Sequence, residues 1–225
     1  MNFLQLTQRL ARECGVAGTG PSSVVGQSNE AARLVNYVAD AWVEIQAMHD
    51  VWTFMQADWI AAMPASTSQI TLADAGIAAT FKRWKSDSLR GYRTAVGTDD
   101  DNWLVEWDWP VFRDTYRFGS QTPGRPSVFA MRPADESLQL GPVMDDAYTV
   151  YGEYYKRPVR LAADADTPVV DDSLHMAIVY KAMMFYGLYE AASEVMARGE
   201  RGLAALATGM ERRYLPDITV GDAWA

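Results

Sequence analysis

The stretch that decides the fold reads Glu-Tyr-Tyr-Lys-Arg-Pro at 153–158, Val-Arg-Leu-Ala-Ala-Asp-Ala-Asp-Thr-Pro at 159–168, and then a long apolar run to Ala192. Across it the apolar period changes from about two to about 3.6, so a β-rich middle gives way to a helical C-terminal part. Pro158 and Pro168 bias the residues before them away from helix, making 157–170 an extended connector with a small polar loop at its centre. Asp171, Asp172 and Ser173 then offer cap oxygens and negative charge to the free amides of a first helical turn.

The helix that follows carries Leu174, Ile178, Ala182, Phe185, Leu188, Ala192 and Val195 in one stripe, widened by Met176, Val179, Met183, Tyr186 and Gly187. So broad an apolar face belongs to a helix covered on more than one side, and it is expected to be the central helix. His175 and Lys181 are read as its narrow polar edge. It is expected to break at Gly199, with Leu203, Leu206, Ala207, Met210 and Tyr214 forming a last amphipathic helix before Pro216.

Working back to the start, Asn2 is a good N-cap for a helix presenting Phe3, Leu6, Leu10 and Ala11, which Gly15 ends. The Gly-rich segment 15–27 is a loop. It lacks the preceding strand and the lysine of a phosphate-binding loop. A second helix is capped by Ser28 or Asn29 and shows Ala31, Leu34, Val35, Val38, Ala41, Trp42, Ile45 and Met48 on one side. Asp40 and Glu44 fall off that stripe and read as a solvated face, since no histidine stands at ligand spacing.

From Val51 the runs become short, aromatic and β-branched, separated by Pro64, Gly76, Gly91 and Gly97. Asp99, Asp100 and Asp101 read as an exposed acidic turn, without the glycine and closing glutamate of a calcium loop. A strand is expected at 103–107, a short helix near Asp108 with Pro110 in its first turn, and strands at 127–131, 137–140 and 147–156. The last is aromatic on both faces, which implies cover on both sides.

The fold expected is therefore α+β: an antiparallel helical bundle of two N-terminal and two C-terminal helices, residues 1–50 and 168–215, with a β-rich insertion at 51–167. A tail at 216–225 carries Ile218, Val220 and Trp224 and reads as either a disordered end or a docking segment, the exposed Trp favouring docking. At 225 residues the chain can bury roughly 70% of its unfolded surface in its own core. One cysteine, Cys14, cannot form an internal disulfide, and no secretory leader pattern or apolar run of about 18 residues is seen, so a soluble protein of a reducing compartment is expected. A net charge of −9 argues against a surface that grips nucleic acid and is compatible with one past which DNA slides.

No catalytic constellation emerges. His49, His175 and Cys14 are far apart in sequence, and the serines lack a nucleophile elbow. No cofactor or metal site is expected. Trp103, Trp107 and Trp109 offer an alternative reading, a small carbohydrate-binding or hydrolase module stacking sugar rings, against the plainer one in which they fill a core or interface.

Four runs in order carry a resemblance: Gly-Thr-Gly-Pro at 18–21 leading to Gly-Gln-Ser at 26–28; Tyr-Arg-Phe-Gly-Ser-Gln-Thr-Pro-Gly-Arg-Pro-Ser at 116–127; Leu-Gly-Pro-Val at 140–143 with Gly-Glu-Tyr-Tyr-Lys-Arg-Pro at 152–158; and Ala-Asp-Ala-Asp-Thr-Pro at 163–168 before His-Met-Ala-Ile-Val-Tyr-Lys-Ala-Met at 175–183. The chain resembles the head-to-tail adaptor proteins of tailed bacteriophages, also called neck or head-completion connectors. The resemblance implies a structural virion protein in the neck, assembled in the host cytoplasm. It implies a homo-oligomeric ring of twelve copies beneath the portal protein, enclosing the channel through which DNA passes without specific binding. It further implies a downstream neck or tail partner, no membrane, no catalytic residues, and a C-terminal tail on the portal, here Asp217–Ala225 with Trp224 as anchor. Another neck or tail-completion protein is the neighbouring alternative.

Overall fold

The computed structural model describes residues 1–216 and is mixed α+β, with five α-helices and two four-stranded sheets among those residues. Ile218, Val220 and Trp224 lie outside the described residues. The chain divides into two compact units, Met1–Met55 together with the chain from Pro158, and Gln56–Arg157. No described helix is long and apolar enough to cross a membrane.

In the helical unit α1 spans Phe3–Glu13 and α2 Asn29–Ala47, with α4 at Met176–Tyr189 and α5 at Ser193–Tyr214. Asn2 caps α1 as its sequence implies: Gln5 N–H donates to Asn2 Oδ1 at 2.9 Å and Asn2 N–H donates to Gln5 Oε1 at 3.0 Å. The next free amides of that turn are taken by the polar loop of the connector, Phe3 N–H donating to the Asp166 carbonyl at 2.8 Å and Leu4 N–H to that of Asp164 at 3.3 Å. Further along, the buried Gln46 side chain holds the connector as a strand would, donating to the Val159 carbonyl at 2.9 Å and accepting from Val159 N–H at 3.0 Å. The core joins Phe3, Leu6 and Leu10 of α1, Leu34, Val38 and Trp42 of α2, and Ala177, Ile178, Val179, Ala182 and Met183 of α4. As expected, α4 is central, packing on α1, α2 and α5.

Three expectations need correction here. Helix α4 ends at Tyr189, and the break falls at Glu190–Ala192, where Ala191 takes φ 52° and Ala192 N–H donates to the Gly187 carbonyl at 2.8 Å. That is the left-handed hydrogen-bonded cap usually supplied by glycine. Gly199 instead lies buried inside α5, where an added Cβ would stand 2.6 Å from the Tyr180 carbonyl oxygen, so it is a contact glycine. His175 is fully buried: its Nε2 is 3.0 Å from the Val170 carbonyl and its Nδ1 is 2.6 Å from the Met1 amino group. An Nε2–H donating to that carbonyl leaves Nδ1 to accept from the ammonium, so a polar ring is satisfied without water.

The second unit contains β1 (Gln56–Met63), β2 (Gln69–Ile70), β3 (Phe81–Arg93), β4 (Asn102–Trp103), β5 (Val105–Glu106), α3 (Trp109–Tyr116), β6 (Val128–Met131), β7 (Leu138–Gly141) and β8 (Tyr148–Lys156). One sheet runs β1-β8-β3-β4 and the other β2-β7-β6-β5, antiparallel except for the β5–β6 pair. Both contribute to one core: Trp59, Phe81, Trp84, Leu89, Tyr148, Val150 and Tyr154 from the first, Ile70, Phe129, Leu138 and Leu140 from the second. Helix α3 begins after Asp108 with Pro110 in its first turn, and its Phe112 packs on Val128 and Ala130.

The single strand expected at 103–107 is two. Leu104 turns into the core, its N–H donating to the Leu89 carbonyl at 3.0 Å, and the chain passes there from one sheet to the other. The acidic run is not a simple exposed turn either. Asp100 accepts from Arg93 N–H at 3.0 Å and Arg125 Nη1 at 2.7 Å, while Asp101 pairs with Arg90 at 2.5 Å. These bonds, the backbone one first, hold the Asp100 carboxyl below its ordinary pKa.

Candidate functional site

Strand β8 is flanked on both sides, so its alternation decides what the β unit shows outward. Tyr148, Val150 and Tyr154 enter the core, while Tyr151, Glu153 and Tyr155 point to the opposite face. The register places their neighbours in rows: Asp58, Glu153 and Lys85 across β1, β8 and β3, then Ile60, Tyr151, Arg90 and Trp103 across β1, β8, β3 and β4.

A bulge shapes this face. Strand β3 advances five residues from Lys85 to Arg90 while β8 advances two, from Glu153 to Tyr151, and the surplus folds in opposite Gly152. A Cβ there would lie 3.2 Å from Ser88 Oγ and 3.3 Å from Leu89 Cα, so any larger residue would have to push the bulge back by a few tenths of an ångström. Ser88 Oγ accepts from Glu153 N–H at 2.8 Å and donates to the Lys85 carbonyl at 2.6 Å, tying the bulge to both strands.

The result is a cleft of about 460 Å³ lined by Asp58, Trp59, Lys85, Asp87, Ser88, Trp103, Tyr151, Gly152 and Glu153. The Lys85 ammonium is paired with Glu153, and that bond above all pushes the Lys85 pKa up. Tyr151 donates to Asp101 at 3.0 Å, Arg90 pairs with the same carboxylate, and the Arg90 guanidinium lies 4.4 Å from the Trp103 ring centre. Burial pushes the Tyr151 phenol pKa up, and its bond to Asp101 adds to that. Trp103 and Ile60 remain 56% and 62% exposed on this face.

The helical unit has a groove of its own, about 460 Å³, between α2 and α4, lined by Tyr37, Asp40, Glu44, Phe185, Leu188 and Tyr189. Asp40 and Glu44, read from sequence as solvated, each have a cation: Arg160 bonds Asp40 and Lys181 meets Glu44 at 2.7 Å. Leu188, placed by its spacing on the core stripe, is 74% exposed beside this groove.

The three tryptophans of the sugar-stacking alternative are not brought together. Trp103 carries Arg90, whereas Trp107 and Trp109 pack with Phe112 and Tyr116 against α3 and β6. Cys14 has burial pushing its thiol up to about 12 against the opposing pull of Arg198. The histidines are engaged elsewhere, His49 at 3.4 Å from Glu211 and His175 with Met1 and Val170. Sequence reading missed the cleft because Asp58, Lys85, Asp87 and Glu153 come from three strands. The one signal was the two-faced aromatic alternation of 148–155.

The outer face of the β1-β8-β3-β4 sheet thus brings Asp58, Glu153, Lys85, Tyr151, Arg90 and Trp103 together in two rows. The sequence model of the SU10 adaptor protein family matches residues 1–221, and the chain belongs to that family, a family of bacteriophage adaptors whose role is structural. No curated protein matches the chain.

Proposed function

We propose that the chain is the head-to-tail adaptor of a tailed phage: twelve copies close into a ring beneath the portal protein, join it to a downstream neck or tail protein, and enclose the DNA exit channel. The observation that carries this reading is the family match over residues 1–221. Repeated modest contacts around a closed ring give strong assembly once a template fixes the geometry. A chain of net charge −9 furnishes a lumen wall that repels phosphate and lets DNA pass. The helical unit supplies the ring wall, and the β unit meets tail components or adjacent subunits. Assembly takes place in the host cytoplasm.

The C-terminal segment, with Ile218, Val220 and Trp224, docks on the portal. A buried Trp224 anchor makes Trp224→Ala weaken portal attachment by about 2 kcal/mol or more. Surface-immobilised portal rings titrated with the full chain and with this variant measure it. Equal affinities would remove the anchor from the account, and no binding by the full chain would remove the portal.

A further inference from the structure

The outer face of the β1-β8-β3-β4 sheet has a partner chemistry written into it. Strand β1 pairs with β8 alone, so along Gln56–Met63 one edge has no strand beside it among the described residues. The opposite edge of the same sheet, β4, is two residues long. A long open edge is a template for an added strand, and proteins that do not use one shorten it or cover it.

Beside this edge lies the cleft, whose ionic balance is unequal. Glu153 is matched by Lys85 and Asp101 by Arg90, while Asp58 and Asp87 are exposed and make no salt bridge among the described residues, Asp87 acting on Lys85 only at longer range. Two carboxylates beside Tyr151 and Trp103, the latter already carrying Arg90 on its ring, form a pocket that draws a further cation by charge. Trp59 alternates to the other face of β1 and packs on Trp84 in the core, so Asp58 and Ile60 are what this strand shows outward. Ile60 stands one row further, a large apolar side chain held in water.

Resting on the adaptor reading, we infer that this face docks an extended, lysine- or arginine-bearing segment of a different virion protein, laid along β1 with its basic side chain between Asp58 and Asp87. A second copy of the chain is the poorer occupant. It carries the same excess of carboxylate, net −9, and is repelled where a basic segment is drawn in.

The test places the photoreactive residue p-benzoylphenylalanine at Ile60, on the face but outside the cleft lining, in phage grown with that chain. Purified particles are irradiated and the linked peptides are mapped by mass spectrometry. The expected link is to another virion polypeptide, within a residue or two of a lysine or arginine. Combining Asp58→Asn with Asp87→Asn should lower its yield about tenfold, as loss of complementary charge does, with incorporation into particles unchanged. Links only to a second copy, to a glycan or to a segment without basic residues would overturn the inference. So would a yield indifferent to the two substitutions, or no link in particles that contain the chain. Particles lacking the chain altogether would instead sink the adaptor reading, and this inference with it.

Discussion

Replacing Gly199 with alanine pits two effects of opposite sign against each other in one helix. Glycine inside a helix is worse than alanine by about 1 kcal/mol, so Gly→Ala on an open helix face stabilises. At Gly199 the new methyl would stand 2.6 Å from the Tyr180 carbonyl oxygen, with Met184 Cγ at 3.1 Å and Met183 Cβ at 3.2 Å. The first contact is backbone of α4, hydrogen-bonded within its helix, and cannot swing aside as a side chain tip can. Overpacking of this kind costs roughly 1–3 kcal/mol, which outweighs the propensity gain. Gly209, in the same helix, is the matched control, since a Cβ there meets nothing within 4 Å. Gly199→Ala should therefore destabilise by up to about 2 kcal/mol and Gly209→Ala stabilise by up to about 1 kcal/mol. Thermal unfolding followed by far-UV circular dichroism should separate the two variants by up to roughly 10 °C, at about 2–4 °C per kcal/mol for a chain this long. If Gly199→Ala melts at or above the parent, the close approach of α4 and α5 on this glycine is wrong.

The helical unit should also lose stability in acid. Asp166 is held below its ordinary pKa by the Ala163 and then the Ala162 backbone N–H groups, and Asp171 by the Ser173 hydroxyl first of all. A carboxyl with a depressed folded pKa contributes above its unfolded value, near about 4, and that contribution is lost as the pH falls through the folded value. Melting temperatures measured across that window should drop, and drop less for Asp166→Asn; an equal drop would take Asp166 out of the linkage. Cys14, with its thiol pushed up to about 12, should react with iodoacetamide at pH 8 at least about a hundredfold more slowly in the native protein than after unfolding. Equal rates measured by mass spectrometry would contradict its burial.

How much of this was legible depends on the range of the interactions concerned. The N-cap at Asn2, the Pro110 start of α3, the one-sided stripe of α2 and the strands β6 to β8 are local patterns, and each lies within a residue or two of where its chemistry puts it. The α4–α5 break was misplaced because glycine marks both turns and close contacts in sequence, while the turn that forms uses Ala191. The division at Leu104 and the bulge at 86–89 depend on sheet partners tens of residues away. The cleft follows from that bulge, so its carboxylates could be counted in the sequence but not assembled. His175 hides its partners for the same reason, Met1 and Val170 being brought to it by the fold.

The central claim is that this adaptor joins the portal, and the direct measurement is mass. The full chain is mixed with the portal ring of the same phage, passed over a sizing column and weighed by light scattering beside each component alone. The account predicts a complex heavier than the portal ring by one 25.0 kDa chain per portal subunit. A portal ring that elutes with its mass unchanged would contradict it.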